Sequence, residues 1–585
     1  MLVNVVIDNS INCNPLLNYK SAFLTFPYYD KLINYIKNLR YRYYDANKKS
    51  WEIQYQDLIS LCKTFPDIQF DIVDNYKEVV ENYNLQIPED YEFNLQPLEY
   101  QRDGILYGIN HPKFLLGDEM GLGKTLQSIY ISDITCKNKV LVIVCSASLK
   151  YNWKAEIEKT LGRKDAYVLG TIRKEKKNGT VSEKEGNAQD KLNDLINIDN
   201  IKEKFIITNR ETITLLNSKK KQGRGYTYNF PIADKINELC KQKKIECILI
   251  DECHKGLRNV TGVSSKALEK IHCDRAIAMT GTPIMNTPLD IYVIIKWLGI
   301  INNNIDFWTF KSTFANLDDY GNYVSPKNIQ QLSNILRSHM LRRLKKEKLP
   351  DLPDKMIVEE LIEMSPKQKT LYKIINRGLQ DELHTMIHSP EPLSKLINLR
   401  KVTGCPQVLD ASLKEEDNSK LERLKELVKE ITDNGHKVVI YSTWTTTTNL
   451  IREALSQYNP AYITGEVGNK ERMDETNKLQ TDSSCKVLIG NSAMGVGLTM
   501  TAADYLIFYD EPWTMGDKQQ IEDRIHRIGQ ENKATIINLI CKDSIDEGIN
   551  QLVEKKGAMA SYIVDDKIDT SSYKNLLQAL LSFGA

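Results

Sequence analysis

One nine-residue stretch constrains this chain more than any other. Gly117-Asp118-Glu119-Met120-Gly121-Leu122-Gly123-Lys124-Thr125 lies between the apolar run Phe114-Leu115-Leu116 and a segment with helical apolar spacing, Leu126, Ile129, Tyr130 and Ile134. A strand, a glycine loop and a helix in that order form a phosphate cradle. Glycines turn backbone N–H groups inward, and the helix N-terminus adds partial positive charge. Lys124 is placed to reach the β- and γ-phosphates, and the Thr125 hydroxyl to hold Mg²⁺. The expected ligand is a nucleoside triphosphate. Asp118 stands where the strict G-x-x-x-x-G-K-[ST] pattern wants glycine, so a literal pattern search passes over this loop.

A second signal is a short apolar strand, Ile248-Leu249-Ile250, ending in Asp251-Glu252-Cys253-His254. Adjacent acids after a hydrophobic strand are a weak signal alone and a strong one downstream of a phosphate loop. One carboxylate can hold the Mg²⁺ that bridges the phosphates, and the next can orient and deprotonate the attacking water. Asp251 is assigned the first role and Glu252 the second. Upstream, Gln101 precedes the loop, and its amide could offer adenine both a donor and an acceptor. Without the downstream context it would read as a solvated glutamine at a helix start.

At 585 residues the chain has room for several domains, and its 41% hydrophobic content is ordinary for a globular protein. The 78 basic and 77 acidic side chains nearly cancel, so nucleic-acid binding would rest on local patches. Eleven cysteines without a C-x-x-C pair argue against a zinc site or a disulfide framework. His384 and His388 have ligand-like spacing but lack the other ligands of a zinc enzyme. The N-terminus lacks a basic leader, and no apolar run approaches the ~20 residues that span a bilayer. A cytoplasmic protein with no membrane partner is expected.

Continuous apolar runs at Val140–Cys145, Val438–Tyr441, Val487–Ile489 and Tyr505–Phe508 read as strands buried on both faces of parallel sheets. The fold expected is α/β: two lobes of parallel sheet flanked by helices, with helical insertions and a small N-terminal α+β module. Expected boundaries are 1–90 for the module, 91–349 and 350–555 for the lobes, and 556–585 for a C-terminal tail. Polar stretches at Thr171–Asp199 and Lys219–Arg224 read as mobile, solvated insertions, although either could grip phosphate.

Further along stand Met279-Thr280-Gly281-Thr282-Pro283, then His339-Met340-Leu341-Arg342-Arg343, and Leu399-Arg400-Lys401-Val402-Thr403-Gly404-Cys405-Pro406. Last come Gly495-Val496-Gly497-Leu498-Thr499, Tyr509-Asp510-Glu511-Pro512-Trp513 and Gln520-Ile521-Glu522-Asp523-Arg524-Ile525-His526-Arg527-Ile528-Gly529-Gln530. The spacing i, i+4, i+7 puts Gln520, Arg524 and Arg527 on one helix face. For Arg342 and Arg343 the plain reading is a helix C-terminus, which favours cations.

Together these motifs resemble the Swi/Snf-type branch of the superfamily-two helicase-related ATPases, in which Asp118 is the rule. The resemblance runs from about residue 95 to 545. Thr499, where the family usually has asparagine, and Trp444 depart from the family pattern. The resemblance implies two RecA-like lobes with ATP and Mg²⁺ between them. The first lobe would supply Gln101, Asp118, Gly121, Gly123, Lys124, Thr125, Asp251 and Glu252, and the second Gln520, Arg524 and Arg527, with Arg527 foremost. Thr280 and Thr282 would sense movement of His254 and the acids. The implied track is double-stranded DNA. The N-terminal layout through Arg40-Tyr41-Arg42-Tyr43-Tyr44-Asp45 to Trp51 is similar to the HARP domain of annealing helicases, which implies remodelling or annealing of forked DNA. An unrelated helix-hairpin adaptor, a strand-separating DNA or RNA helicase, and an inactive P-loop scaffold are the alternatives.

Overall fold

The computed structural model describes residues 2–9, 20–39, 42–46, 48–74, 85–144, 147, 149–175, 181–215, 218–222, 225–301, 305–383, 391–495 and 498–565. His384, His388, Arg40, Arg224, Val496 and Gly497 lie outside them.

The N-terminal module is a five-stranded sheet with two helices on one face. Strands Leu2–Asn9 and Gln69–Asp74 pair in parallel, while Lys20–Thr25, Arg42–Asp45 and Ser50–Gln54 complete the sheet in antiparallel fashion. Val3, Val5 and Ile7 alternate inward, and Leu32 and Ile36 of helix Asp30–Lys37 close over them. Trp51 is half-buried against Tyr44, with ring centroids 4.9 Å apart.

The first lobe is a seven-stranded, wholly parallel sheet. In spatial order its strands are Met340–Leu341, Lys113–Leu116, Arg275–Met279, Ile245–Ile250, Lys139–Val144, Phe205–Asn209 and Ala166–Val168. Both faces are covered. Leu141 and Ile143 enter one apolar core, and Val140, Val142 and Val144 enter the other. A strand with two buried faces needs apolar residues at every position, which is why these segments read as unbroken apolar runs. The second lobe repeats the plan with six parallel strands: Met356–Ile362, Thr535–Cys541, Tyr505–Phe508, Val438–Tyr441, Val487–Gly490 and Ala461–Ile463.

Three expectations need correcting. The stretch from Thr171 holds a hairpin, Thr171–Glu175 with Val181–Glu185, and a helix, Ala188–Ile196. Asn187 caps that helix by accepting from Gln189 and Asp190, and Leu195 anchors it in the core. The second charged stretch is likewise a hairpin strand, Ser218–Gln222, paired with Gly225–Asn229. The expected boundary at 555 falls inside a single helix, Ile545–Asp565. At 1.5 Å per residue that helix is about 30 Å long, long enough to leave the second lobe and cross to the first. There Met559, Ile563 and Val564 join the first lobe's core, and Tyr323 Oη lies 3.9 Å from Met559 Sδ. Among the described residues no helix is long and apolar enough to cross a membrane.

Candidate active site

The phosphate loop leaves the buried strand Lys113–Leu116 and enters helix Lys124–Thr135. Gly121 and Gly123 have φ of 87° and 78°, the left-handed region that side chains disfavour. A Cβ on Gly123 would stand 2.3 Å from Gln101 Nε2, so this glycine is required for space as well as for backbone angle.

The loop is held from outside. Arg343 donates from Nε to Asp118 Oδ1 at 2.9 Å and from Nη2 to Asp118 Oδ2, and also reaches the Tyr100 carbonyl and Gln127 Oε1. Arg342 donates to the carbonyls of Gly117 (2.7 Å) and Gly281 (2.9 Å). The backbone runs alongside, with Gly117 N–H to Leu341 O at 2.8 Å and Glu119 N–H to Arg343 O at 2.9 Å. The two arginines therefore follow an edge strand and clamp the loop, rather than ending a helix. Gly104 makes room for the clamp, since a Cβ there would lie 2.0 Å from Gln127 Oε1 and 2.6 Å from Arg343 Nη2.

Two expected ligand contacts change character. The Asp118 carboxylate is fully buried and taken by Arg343 and Gln127, so it anchors the loop instead of facing a ligand. Gln101 accepts from Leu98 N–H (3.0 Å) and donates to Leu122 O (3.2 Å). Both ends of the amide are spent on the protein, and Gln101 props the loop rather than presenting a free amide to adenine. A cleft of about 600 Å³ opens beside it, walled by Leu98, Tyr100, Pro350, Ile528 and Gly529.

Lys124 Nζ donates to the carbonyls of Asp118 (2.8 Å) and Glu119 (3.4 Å). Burial holds its pKa below the ordinary lysine value, opposed by the charges of Glu252, Asp118 and Asp251. Strand Ile245–Ile250 delivers the two acids. Burial, and next the neighbouring Glu252, push the Asp251 carboxyl up to about 6. Asp251 Oδ2 accepts from Trp153 Nε1 at 2.8 Å. In the sequence Trp153 closes the stretch that follows the buried run Val140–Cys145 at its C-terminal end, where ligands of open parallel sheets bind, and nothing there shows that it meets Asp251. Glu252 has φ of 45°, an uncommon angle for a side chain that is not glycine, and its Oε2 is buried without a hydrogen-bond partner. His254 Nδ1 lies 2.8 Å from Thr280 Oγ1 and 3.4 Å from Glu252 Oε2. Burial drives the imidazole pKa down to about 3, so the ring is neutral and the contact with Glu252 is not an ion pair. Thr280 Oγ1 also accepts from Thr282 N–H at 3.0 Å, which links the threonines to the histidine.

The second lobe meets this site through helix Met515–Ile525. Gln520 Oε1 accepts from Lys255 Nζ at 3.1 Å, a direct tie between the lobes. Arg524 donates to Gly495 O at 2.8 Å and Leu498 O at 3.4 Å. Burial and the nearby Arg527 lower its pKa, while Glu252 and Asp251 oppose them, which puts Arg524 in the field of both acids. Arg527 differs from expectation, because the helix ends at Ile525 and the i+7 register does not continue. Its Nη1 donates to Thr499 Oγ1 at 3.0 Å, and its Cβ would be 3.5 Å from a Cβ on Gly121. Of the two arginines, Arg524 rather than Arg527 feels the charges of Asp251 and Glu252. Lys345 Nζ ties the lobes again, through Asp523 and the His526 carbonyl at 2.7 Å.

Buried polar atoms without partners gather here. Among the described residues, Glu252 Oε2, His254 Nε2, Thr282 Oγ1, Gln520 Nε2 and Arg524 Nε have no hydrogen-bond partner. Such groups cost about 1–3 kcal/mol each, and native proteins tolerate them where a ligand supplies the missing bonds.

A sequence profile of the SNF2-related domain matches residues 52–408, and one of the helicase conserved C-terminal domain matches residues 419–529. An uncharacterized ATP-dependent helicase of Mycoplasma pneumoniae is 26% identical over 80% of this chain and 42% of that protein. The human DNA annealing helicase and endonuclease ZRANB3 is 25% identical over 77% of this chain and 38% of its own length. The chain thus spans less than half of these curated relatives. A solved Sulfolobus solfataricus SWI2/SNF2 ATPase core in complex with dsDNA is 24% identical, covering 82% of this chain and 95% of that one, with a TM-score of 0.36. With the SNF2-related profile spanning more than half of its residues, the chain belongs to the SNF2-related family, the Swi/Snf-type branch of the helicase-like ATPases.

Proposed function

We propose that this protein hydrolyses ATP and uses the cycle to translocate on double-stranded DNA, remodelling or annealing branched DNA. One observation carries the reading: a clamped phosphate loop and two partly buried acids on one lobe share a field with Arg524 of the other. In this reading Lys124 and the loop amides bind the β- and γ-phosphates. Glu252 orients the attacking water and accepts its proton, and Arg524 stabilises charge spreading over the transferring oxygens. A hard divalent cation suits the oxygen donors Thr125 and Asp251, and two adjacent, partly buried carboxylates in the field of one lysine favour added positive charge. Mg²⁺ held there would neutralise phosphate charge. The base of the nucleotide is assigned to the cleft beside Tyr100 and Ile528.

Because Arg524 counts only when the lobes are together, closure is part of catalysis, and lobe motion is the output. Likeness to ZRANB3 supports the annealing reading, as does the small α+β module ahead of the lobes. The test is the ATPase rate with no nucleic acid, single-stranded DNA, duplex, fork and RNA, beside a strand-separation assay. Duplex-stimulated turnover without unwinding is expected; RNA stimulation, or processive unwinding, would favour the helicase alternative. Removing residues 1–90 should spare turnover on plain duplex and abolish preference for forks. Equal fork preference in both proteins would sink the role of the module.

A further inference from the structure

A second pocket, of about 420 Å³, lies next to the candidate active site, and none of the assignments above uses it. Arg210, Lys255, Arg258 and His254 line it from the first lobe, and Asp517 from the second. Three cations thus face one carboxylate, and that carboxylate already accepts from Thr514 Oγ1 at 2.7 Å. Two of the cations are engaged: Lys255 with Gln520, and Arg210 with Glu211 and the Lys255 carbonyl. Arg258 is exposed and makes no hydrogen bond or ion pair among the described residues. An excess of basic groups that includes a free guanidinium fits a phosphate oxyanion.

The histidine in the wall connects this pocket to the base. Its Nδ1 is directed at Thr280 and Glu252, while its Nε2 is buried and has no partner among the described residues. We propose that this pocket binds a phosphate group, and that occupancy selects the His254 tautomer that releases Glu252. A neutral imidazole carries one proton. With that proton on Nδ1, the ring donates toward Thr280 Oγ1, with Glu252 Oε2 3.4 Å away, and the Nε2 lone pair lies buried in the pocket wall. A phosphate oxygen at the pocket needs a donor, so the proton moves to Nε2. Nδ1 then becomes an acceptor for the Thr280 hydroxyl and no longer turns a proton toward Glu252 Oε2, 3.4 Å away, which is left to accept from water. The ring's proton count does not change. His254 is thus a positioning residue, acting through Glu252.

The phosphate can come from the DNA backbone or be the inorganic phosphate leaving the active site, and the experiment separates them. This inference deepens the proposed function and rests on it for the DNA arm. In the first arm, ATP turnover is titrated with duplex for the parent, Arg258→Ala and Arg258→Glu. Arg258 is exposed, so these changes leave the fold intact. A backbone phosphate predicts at least a tenfold rise in half-saturating DNA, reproduced in the parent by duplex with methylphosphonate linkages. In the second arm, phosphate release is followed with a phosphate-sensing fluorophore, and product inhibition is measured with inorganic phosphate. A leaving phosphate predicts weakened inhibition with unchanged half-saturating DNA. In both cases ¹⁵N-histidine NMR, with the His254 signals identified using His254→Gln, should pass from Nδ1- to Nε2-protonated shifts as duplex or inorganic phosphate is added. Variants equal to the parent in both arms overturn the site, and an Arg258 effect with unchanged His254 signals overturns the coupling. A parent that duplex fails to stimulate would instead refute the DNA-dependent function, leaving the inorganic phosphate arm to decide the pocket.

Discussion

On the first lobe, the phosphate loop is gripped by Arg342, Arg343, Gln101 and Gln127, with edge-strand backbone bonds running beside it. Across the cleft, Arg524 holds two carbonyls and Arg527 one hydroxyl, and Arg524 Nε is left without a partner. The loop side is over-determined before any ligand arrives, whereas the arginine side holds bonds in reserve. A binding surface benefits from being built in advance, because ordering it later would cost entropy. Groups that act only in the transition state gain from being free to complete their bonds at closure. On the proposed function, the lobes therefore divide the work into holding and triggering.

The largest effect should come from removing the chemistry while sparing both frameworks. Glu252→Gln keeps the shape but cannot take the water's proton, so turnover should fall by about 10³-fold or more while ATP stays bound. Phosphate release and nucleotide binding, measured side by side, check this; turnover within a few-fold of the parent would reassign the base.

Next come the triggers. Arg524→Ala should lower DNA-stimulated turnover by about 10³-fold and Arg527→Ala by about 10²-fold, with melting temperature and DNA affinity little changed. Lysine at 524 should rescue poorly, because it lacks the planar fork. The reverse order of severity would mean that closure carries Arg527 past Arg524 to the phosphate, a larger motion than the present arrangement requires.

The grip itself is tested by Arg343→Ala, which strands the buried Asp118 carboxylate. Breaking a buried pair costs about 3–5 kcal/mol. Denaturant unfolding should show that loss, and nucleotide affinity should fall with it. The double variant Asp118→Leu with Arg343→Met should recover stability without recovering nucleotide binding. If the single variant is as stable as the parent, the loop is less firmly held than its contacts imply.

The smallest effect is expected at Gly104. Alanine there gains up to about 1 kcal/mol of helix propensity but collides with Gln127 and Arg343, at an overpacking cost of about 1–3 kcal/mol. A net loss of about 1 kcal/mol in unfolding, with weakened nucleotide binding, would show that the grip reaches back to this helix. A stabilised variant with normal binding would show that the clamp relaxes freely.

Much of this architecture is local and was therefore legible. Val140–Val144 and Val438–Tyr441 are apolar at every position because each strand has two covered faces, and that reads directly as parallel sheet. The loop at Gly117–Thr125 and the acids at Asp251 and Glu252 combine short spacing with specific chemistry, so their types alone marked the site. Arg343 was noticed, but its partner Asp118 lies 225 residues away, and no periodicity connects them. Trp153 meets Asp251 across 98 residues. The terminal helix offered an apolar face with no sign of which lobe it would cover.

Sequence by itself determined the lobes, the cradle and the chemical types available, because these rest on backbone periodicity and contacts between near neighbours. Only the tertiary structure decided how those types are used. It made Asp118 and Gln101 anchors of the loop, put Arg524 rather than Arg527 in the field of the acids, and left His254 Nε2 without a partner among the described residues in the wall of a basic pocket. Each of these depends on which donor reaches which acceptor once the chain is folded, across 225 residues for Asp118 and Arg343 and across a loop for Gln101 and Leu122. A hydrogen bond is decided within a few tenths of an ångström, a scale on which sequence spacing carries no information.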